Sequence, residues 1–92
     1  MYNIYVKKSF EKDFRKISEE ARREFTSKWI PRLQENPRIG EHMKGGLKDF
    51  WKLVFRFKKN DYRLVYEIHC KEILIIFLAI GSRESFYKRL LH

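Results

Sequence analysis

The sequence predicts a small, single α+β domain. An N-terminal strand and an α-hairpin are expected to pack on an antiparallel-rich four-stranded sheet, followed by a short C-terminal helix. Three observations indicate this class: helical spacing of apolar residues in the first half, three closely spaced strand-like segments in the second, and a length of 92 residues, which has room for one core. Because no repeat, linker or low-complexity tract divides the chain, residues 1–92 are expected to form one domain.

The N-terminal segment predicts a strand and then a helix. Residues 2–6 alternate and are rich in aromatic and β-branched side chains, which is typical of a strand. Ser9 is a candidate N-cap for the first helix, and Phe10, Phe14 and Ile17 follow at the spacing of an apolar helical stripe.

A second helix is expected to begin at Ser18. This N-cap residue is followed by Glu19 and Glu20 in the first turn, where the helix dipole favours negative charge. Pro31 lacks the N–H that a helix interior requires, so a kink or restart is expected at residues 29–31. The apolar residues of this helix recur at every fourth position: Ala21, Phe25, Trp29 and Leu33. Asn36 followed by Pro37 predicts the end of the helix.

Two of the three later strands are predicted from alternation. Residues 38–49 contain glycines and no clear periodicity, so they are expected to form a loop that returns the chain to the sheet. Residues 50–57 and 62–68 then alternate between apolar and polar side chains. Residues 58–61 are expected to join these strands as a four-residue hairpin connection.

The third strand is predicted from a continuous apolar run at residues 73–80, which is typical of a central strand buried on both faces. This is the longest apolar run of the chain and is far too short to cross a bilayer, so membrane insertion is not expected. After Gly81, residues 83–91 can form the short terminal helix.

Alternation also assigns the two faces of the sheet. The aromatic side chains of residues 50–57 are expected to cover the helices, which leaves Lys52, Arg56 and Arg63 together on the opposite face, called the open face below. Charged residues commonly line the solvated side of a sheet, and that simple interpretation applies to each of them alone. However, Glu67 is the only carboxylate predicted on this face, so the clustered positive charge favours an anionic ligand.

Composition narrows the class of partner. Lys and Arg number 21 against 12 acidic residues, a formal charge of +9, which favours nucleic acid. Acidic residues interrupt the basic ones along the helices, so a membrane-binding amphipathic helix is not expected. Cys70 is the only cysteine, and three histidines lack metal-ligand spacing: His42, His69 and His92. No cofactor and no metal site are therefore expected, and a reducing, cytoplasmic location fits the single thiol.

Three segments together carry a resemblance to a known family. FWKLVFR at residues 50–56, DYRLVY at residues 61–66 and GSRESFY at residues 81–87 resemble the successive signatures of the RelE/ParE toxins, in the same order and at similar separations. The resemblance implies the toxin of a type II toxin-antitoxin system. For the RelE branch it implies an endoribonuclease that cleaves mRNA in the ribosomal A site and is neutralised by a RelB-like antitoxin in a hetero-oligomer.

The resemblance also implies site residues. The catalytic positions it assigns are Lys52, Arg63, Arg83 and Tyr87. The neighbouring cations Arg56, Lys58, Lys59 and Lys88 are expected to contact RNA. One position departs from the family pattern, because Val54 stands where the family has a second strand lysine.

The chemistry that fits these residues needs no metal ion. The RNA 2′-hydroxyl attacks its adjacent phosphate and the 5′-oxygen leaves, which calls for a base, an acid and donors to the charged phosphorane. Lys52 could share the base role, and the guanidinium groups of Arg63 and Arg83 suit forked hydrogen bonds to phosphate. Tyr87 could stack on a base or orient the hydroxyl, although an amphipathic residue at the edge of the core is an equal alternative.

Two other functions stay open at this point. A ParE-like toxin would inhibit DNA gyrase without cutting nucleic acid, and the sheet motifs are common to both branches. The substitution at Val54 also keeps open a catalytically inactive member that acts only in a protein complex. Lys52, Arg83 and Tyr87 together favour the nuclease, whose partners would be mRNA and the ribosome.

Overall fold

The structure of the protein is a computed structural model that describes residues 1–45 and 49–82. Its elements are β1 (Asn3–Val6), α1 (Lys8–Phe14), α2 (Glu19–Glu24), a π-helix (Phe25–Trp29), α3 (Ile30–Glu35), a 3₁₀ turn (Pro37–Ile39), β2 (Glu41–His42), β3 (Trp51–Phe57), β4 (Asn60–His69) and β5 (Leu74–Gly81). The terminal helix predicted for residues 83–91, and with it Arg83, Tyr87 and Lys88, lies outside the described residues.

The strands of the described residues form one sheet in the order β1-β5-β4-β3-β2. β1 pairs with β5 in parallel and every other pair is antiparallel. The α+β class is therefore confirmed, and β5 is an interior strand between β1 and β4, although β4 and not β5 is the middle strand. The sheet has five strands within the described residues and not the four that were predicted.

The additional strand, β2, lies where the sequence predicted only loop. Its two residues, Glu41 and His42, pair with Lys52 and Trp51 of β3. A strand of this length is too short to show alternation, so its sequence contains no periodic signal. The segment that leads into β2 is held by Tyr66, whose buried hydroxyl donates a hydrogen bond of 2.6 Å to the carbonyl of Pro37.

Gly40 makes this arrangement possible. A Cβ atom at this position would collide with the Tyr66 hydroxyl and would lie 2.7 Å from the carbonyl oxygen of Lys52. The side-chain-free residue lets the backbone before β2 approach β3 and β4 closely.

The helical layer differs in detail from the prediction. α1 begins at Lys8, so Ser9 is not its N-cap, and the Ser9 hydroxyl instead donates to the carbonyl of Leu78 at 2.6 Å. Ser18 is the N-cap of α2, as predicted, and accepts a hydrogen bond from the N–H of Ala21 at 3.1 Å. The interruption expected near Pro31 is also confirmed, because the helix widens into a π-helix that ends at Trp29 before α3 begins.

The connection between β3 and β4 is shorter than predicted. Phe57 still pairs with Asn60, which leaves only Lys58 and Lys59 in the turn. Lys58 adopts a positive φ of 57°. The four-residue connection was wrong because Asn60 and Asp61, which resemble turn residues, extend β4 instead.

Aromatic side chains fill the space between the sheet and the helices. Phe25 of the π-helix stacks on Phe55 of β3 at 5.6 Å and meets Phe77 of β5 edge-on at 5.6 Å. Phe10 of α1 lies 5.2 Å from Phe77. The aromatic faces of the strands therefore cover the helices, as predicted. None of the helices in the described part of the chain is long and apolar enough to span a membrane.

Beyond the end of β1, side chains of α1 form hydrogen bonds with the backbone at the edge of β5. The last bond between these strands is donated by the N–H of Lys7 to the carbonyl of Phe77 at 3.0 Å. Beyond it, Ser9 binds the Leu78 carbonyl, and the carboxylate of Asp13 accepts from the N–H of Ile80 at 3.1 Å. Asp13 is buried, so this pair of side chains replaces a strand in satisfying backbone groups.

We expect Tyr66→Phe to lower the free energy of unfolding by about 1–2 kcal/mol at pH 7, because the buried Pro37 carbonyl loses its donor. Burial raises the pKa of Tyr66 to about 12, against a smaller opposing effect of the backbone at Gly40. A raised folded-state pKa stabilises the fold fully below pH ~10, and that contribution is lost as the pH rises from ~10 towards 12. The difference between wild type and Tyr66→Phe should therefore shrink above pH ~10.

Urea unfolding at pH 7 and pH 11 measures both effects. Tyr5→Phe, which removes an exposed hydroxyl from β1, is the matched control and should change neither value. An unchanged stability of Tyr66→Phe at pH 7 would contradict the assigned role of the hydroxyl.

Candidate active site

The strand register places Lys52 and Arg63 close together on the open face. Arg63 is directly opposite Val54, and Lys52 is directly opposite Val65. The two basic residues are therefore diagonal neighbours on adjacent strands, with their backbones about 7–8 Å apart. Two of the four predicted catalytic side chains thus lie within reach of a single phosphate, while Arg83 and Tyr87 fall outside the described residues.

Arg63 is held by backbone carbonyl groups. Its Nη1 donates to the carbonyl of Ser82 at 3.1 Å and, more weakly, to that of Asp61 at 3.4 Å. Among residues 1–45 and 49–82, no carboxylate forms an ion pair with Arg63. Its bond to Ser82 also ties β4 to the residue that immediately precedes Arg83.

Three of the other predicted site cations have acidic partners. Lys52 Nζ lies 3.7 Å from Glu41 Oε1, Arg56 Nη1 lies 3.2 Å from Asp61 Oδ1, and Lys58 Nζ lies 2.9 Å from Glu20 Oε2. The expectation that Glu67 is the only carboxylate on the open face is therefore wrong. Glu41 was missed because β2 was not predicted, and Asp61 because it was assigned to the hairpin connection.

These ion pairs hold the cations only weakly. The side chain of Glu41 is 75% exposed, and those of Arg56 and Asp61 are 66% and 42% exposed. Ion pairs in water contribute about 0–1 kcal/mol, so an incoming phosphate can replace such a carboxylate at little cost. Lys52 differs, since its side chain is only 22% exposed and is therefore positioned by its surroundings.

The predicted RNA-binding residues do not form one cluster. Arg56 shares the open face with Arg63. Lys58 turns to the helical side, where it binds Glu20 of α2 and lies 5.6 Å from the centre of the Phe57 ring. Lys59 is exposed at the tip of the hairpin, and Lys88 lies outside the described residues.

Val54 is exposed at the centre of this arrangement. It is 47% accessible and stands directly opposite Arg63. The structure therefore places an apolar patch where the family pattern would add a further cation beside the arginine.

One polar pair on the open face was missed from the sequence. Nε2 of His69 lies 2.8 Å from Oε1 of Glu67, two residues earlier on β4. The strand predicted over residues 62–68 ended before His69, but β4 runs through this residue, and residues two apart on a strand share a face. The two side chains line a cavity of about 320 Å³ together with Asp49 and Ile68.

Outside this face, Cys70 is exposed and accepts a hydrogen bond of 3.0 Å from Nη2 of Arg38. This contact, helped by Tyr2, lowers the pKa of the Cys70 thiol below its ordinary range. The described residues contain no group of three or more histidine, cysteine or acidic side chains arranged to hold a metal ion.

Comparison with known proteins identifies similar chains over nearly the whole length. Residues 4–91 match the family model of the ParE-like toxin of type II bacterial toxin-antitoxin systems. An Escherichia coli protein described as a RelE-like toxin is 26% identical over 83 residues, which cover 90% of this chain and 84% of that protein.

Solved structures with the same fold include toxins in complex with their antitoxins. The chain matched in the intact RelBE toxin-antitoxin complex of Escherichia coli has a TM-score of 0.72 and 25% identity, covering 91% of this chain and 99% of that one. A chain of the RelBE2 complex of Mycobacterium tuberculosis has a TM-score of 0.77 over 89% and 91% of the two chains, and at 18% identity it shows the fold alone.

We expect Glu41→Gln to strengthen binding of a short single-stranded RNA about two- to fivefold at low salt, because phosphate no longer competes with the carboxylate for Lys52. Fluorescence anisotropy with a labelled oligonucleotide measures the change. Glu19→Gln is the control, since it changes the net charge equally but removes an ion pair with Arg23 on α2. Equal strengthening by both variants would contradict a local role for Glu41.

Proposed function

The chain belongs to the ParE-like toxins of type II bacterial toxin-antitoxin systems, within the RelE/ParE superfamily, and on that basis we propose that it is a RelE-like endoribonuclease that cleaves translated mRNA on the ribosome. The single observation that carries the proposal is the diagonal pairing of Lys52 with Arg63 on the open face. A guanidinium without an acidic partner among the described residues, beside a half-buried ammonium, suits a phosphate diester.

The proposed reaction transfers the phosphate within the RNA. The 2′-hydroxyl loses its proton and its oxygen forms a bond to the adjacent phosphorus. The bond from phosphorus to the 5′-oxygen breaks, and that oxygen takes up a proton, which leaves a 2′,3′-cyclic phosphate. Because the nucleophile belongs to the substrate, the protein needs only to position groups, move protons and stabilise the extra charge on the phosphorane.

Each site residue has a proposed part in this reaction. In the proposed reaction Lys52 lies beside the 2′-oxygen, where its neutral amine takes up the proton of the 2′-hydroxyl and the resulting ammonium stabilises the negative charge on the phosphorane. Arg63 binds the phosphate oxygens through its planar fork, since its present acceptors are carbonyls that a charged oxygen can replace. On the family resemblance, we propose that Arg83 supplies a second guanidinium to the phosphate. On the same basis, Tyr87 is proposed to orient the nucleotide.

An antitoxin is the proposed protein partner. The matched RelBE structures are toxin-antitoxin complexes, and the open face of this chain offers basic groups whose present acidic partners are exposed. An acidic or amphipathic segment that covers this face would replace those carboxylates and block access of RNA. We propose that the free toxin and a hetero-oligomer with a RelB-like antitoxin are the active and inactive forms.

A second function is favoured by two observations. The matching family is described as ParE-like, and Val54 removes a cation that the nuclease pattern includes. Inhibition of DNA gyrase without cleavage of nucleic acid is therefore the alternative function.

Expression of the toxin alone should arrest growth and produce new 5′ ends inside translated mRNA, because the proposed reaction acts on mRNA at the ribosome. Lys52→Ala and Arg63→Ala should each reduce cleavage at least tenfold, since each removes a group that stabilises the charged phosphorane. Lys16→Ala, which removes an exposed cation beyond the end of α1, is the control and should cleave normally. Mapping of RNA ends after induction, with circular dichroism of each variant, provides the measurement.

Two results would contradict parts of the proposal. Full cleavage by folded Lys52→Ala and Arg63→Ala would support a nuclease but remove these two residues from its site. Intact mRNA with DNA breaks at gyrase sites would establish the alternative function instead.

Binding to ribosomes should weaken by about a thousandfold between 50 and 200 mM salt if about six phosphates are contacted, because each contact releases counterions. Filter binding at several salt concentrations gives the slope. Lys59→Ala should reduce that slope by about one if the hairpin tip contacts a phosphate. A slope near zero would show that phosphate contacts do not dominate the interface.

A further inference from the structure

We propose that the cavity lined by Asp49, Glu67 and His69 is a nucleobase subsite that selects bases with an exocyclic amino group over uracil. This inference rests on the proposed function in one respect, namely that RNA lies along the open face. It assigns a specificity role to residues outside the set that the family resemblance identifies.

The subsite is a defined cavity at one end of the open face. It has a volume of about 320 Å³ and is also lined by Ile68. The ring of His69 is fixed by the 2.8 Å contact between its Nε2 and Glu67 Oε1. The side chain of His69 is 41% exposed and that of Glu67 is 28% exposed, so both can reach a ligand without rearrangement of the strand.

The strand register connects this cavity to the candidate phosphate site. Lys52 is directly opposite Val65, and Glu67 is the next residue of β4 on the same face. The backbones of Lys52 and Glu67 are therefore diagonal neighbours about 7–8 Å apart, a separation that one nucleotide can bridge between its phosphate and its base. An RNA strand whose phosphate binds Lys52 would present a base to Glu67 and His69.

The lining determines which part of a nucleotide can enter. Carboxylates accept hydrogen bonds and repel phosphate, so the cavity suits a base and not the backbone. Adenine, cytosine and guanine each carry an amino group that a carboxylate can accept from, whereas uracil presents two carbonyls beside a single N–H. The imidazole of His69 adds a flat surface on which a single-stranded base can stack.

Glu67 is also the better positioned carboxylate for this role. Its Oε1 is held 2.8 Å from His69 Nε2, while Asp49 is exposed to solvent. A carboxylate already held by one hydrogen bond retains a second oxygen for the ligand, because a carboxylate has about four acceptor positions. The proposal therefore makes Glu67 the residue that contacts the amino group, with His69 holding it in place.

Anisotropy titrations with labelled trinucleotides that differ only in the central base test the proposal in the full-length chain. Wild type should bind the adenine, cytosine and guanine forms about tenfold more tightly than the uracil form, the lower part of the range for one good base contact. Glu67→Gln should reduce that ratio to about two or less. Glu72→Gln, which removes the same charge from the turn after β4, should keep the wild-type ratio.

His69→Ala is a second variant, which keeps the Glu67 carboxylate. It should weaken binding of all four trinucleotides by a similar factor. The preference over the uracil form should fall less than in Glu67→Gln. Equal affinity of wild type for all four bases would overturn the subsite, and so would equal loss of the ratio in Glu67→Gln and Glu72→Gln. Tighter binding of spermidine than of any trinucleotide would indicate a site for amines and overturn the nucleobase subsite. Absence of mRNA cleavage by wild type, with the base preference intact, would contradict the nuclease and leave the subsite supported.

Discussion

The hydrogen bond from Tyr66 to the Pro37 carbonyl is the contact on which the geometry of the candidate site depends. Tyr66 belongs to β4 and has no solvent exposure, so its hydroxyl must find a partner inside the protein. The partner it finds fixes the chain that leads into β2, and Gly40 allows that chain to lie against β3. Glu41 is thereby carried to Lys52, so that its Oε1 lies 3.7 Å from the Lys52 Nζ. A buried tyrosine of the DYRLVY motif thus shapes the open face although its side chain points to the other side.

The opposite end of the site depends on two side chains of α1, which replace a neighbouring strand as hydrogen-bond partners of β5. β1 ends at Val6, and from there α1 supplies the hydrogen bonds that β5 needs, through Ser9 and Asp13. β5 therefore continues to Gly81, which lies opposite Arg63, and the Arg63 guanidinium binds the next carbonyl, that of Ser82. The N-terminal helices, which carry no site residue, consequently determine where the chain arrives before Arg83.

Much of the fold was predictable from the sequence because it rests on periodicity. Alternation in residues 50–57 placed Lys52 and Arg56 on the open face, and the N-cap at Ser18 and the break at Pro31 follow from local chemistry. β2 could not be predicted, since its two residues pair only because Tyr66 and Gly40 hold them against β3. The pairing of Glu67 with His69 required the end of β4 to be known, and strand ends are set by tertiary pairing more than by local sequence.

The missed carboxylates change the electrostatic argument for the site. The sequence suggested a face of uncompensated positive charge, whereas Lys52 and Arg56 each have an exposed acidic neighbour. Such partners reduce repulsion in the free protein, yet they hold so weakly that a polyanion can replace them. Arg63 is the exception among the described cations of this face, because its acceptors are carbonyl dipoles without net charge. A guanidinium held in this way keeps its orientation and most of its attraction for an anion, so the phosphate is expected to bind there first and at Lys52 second.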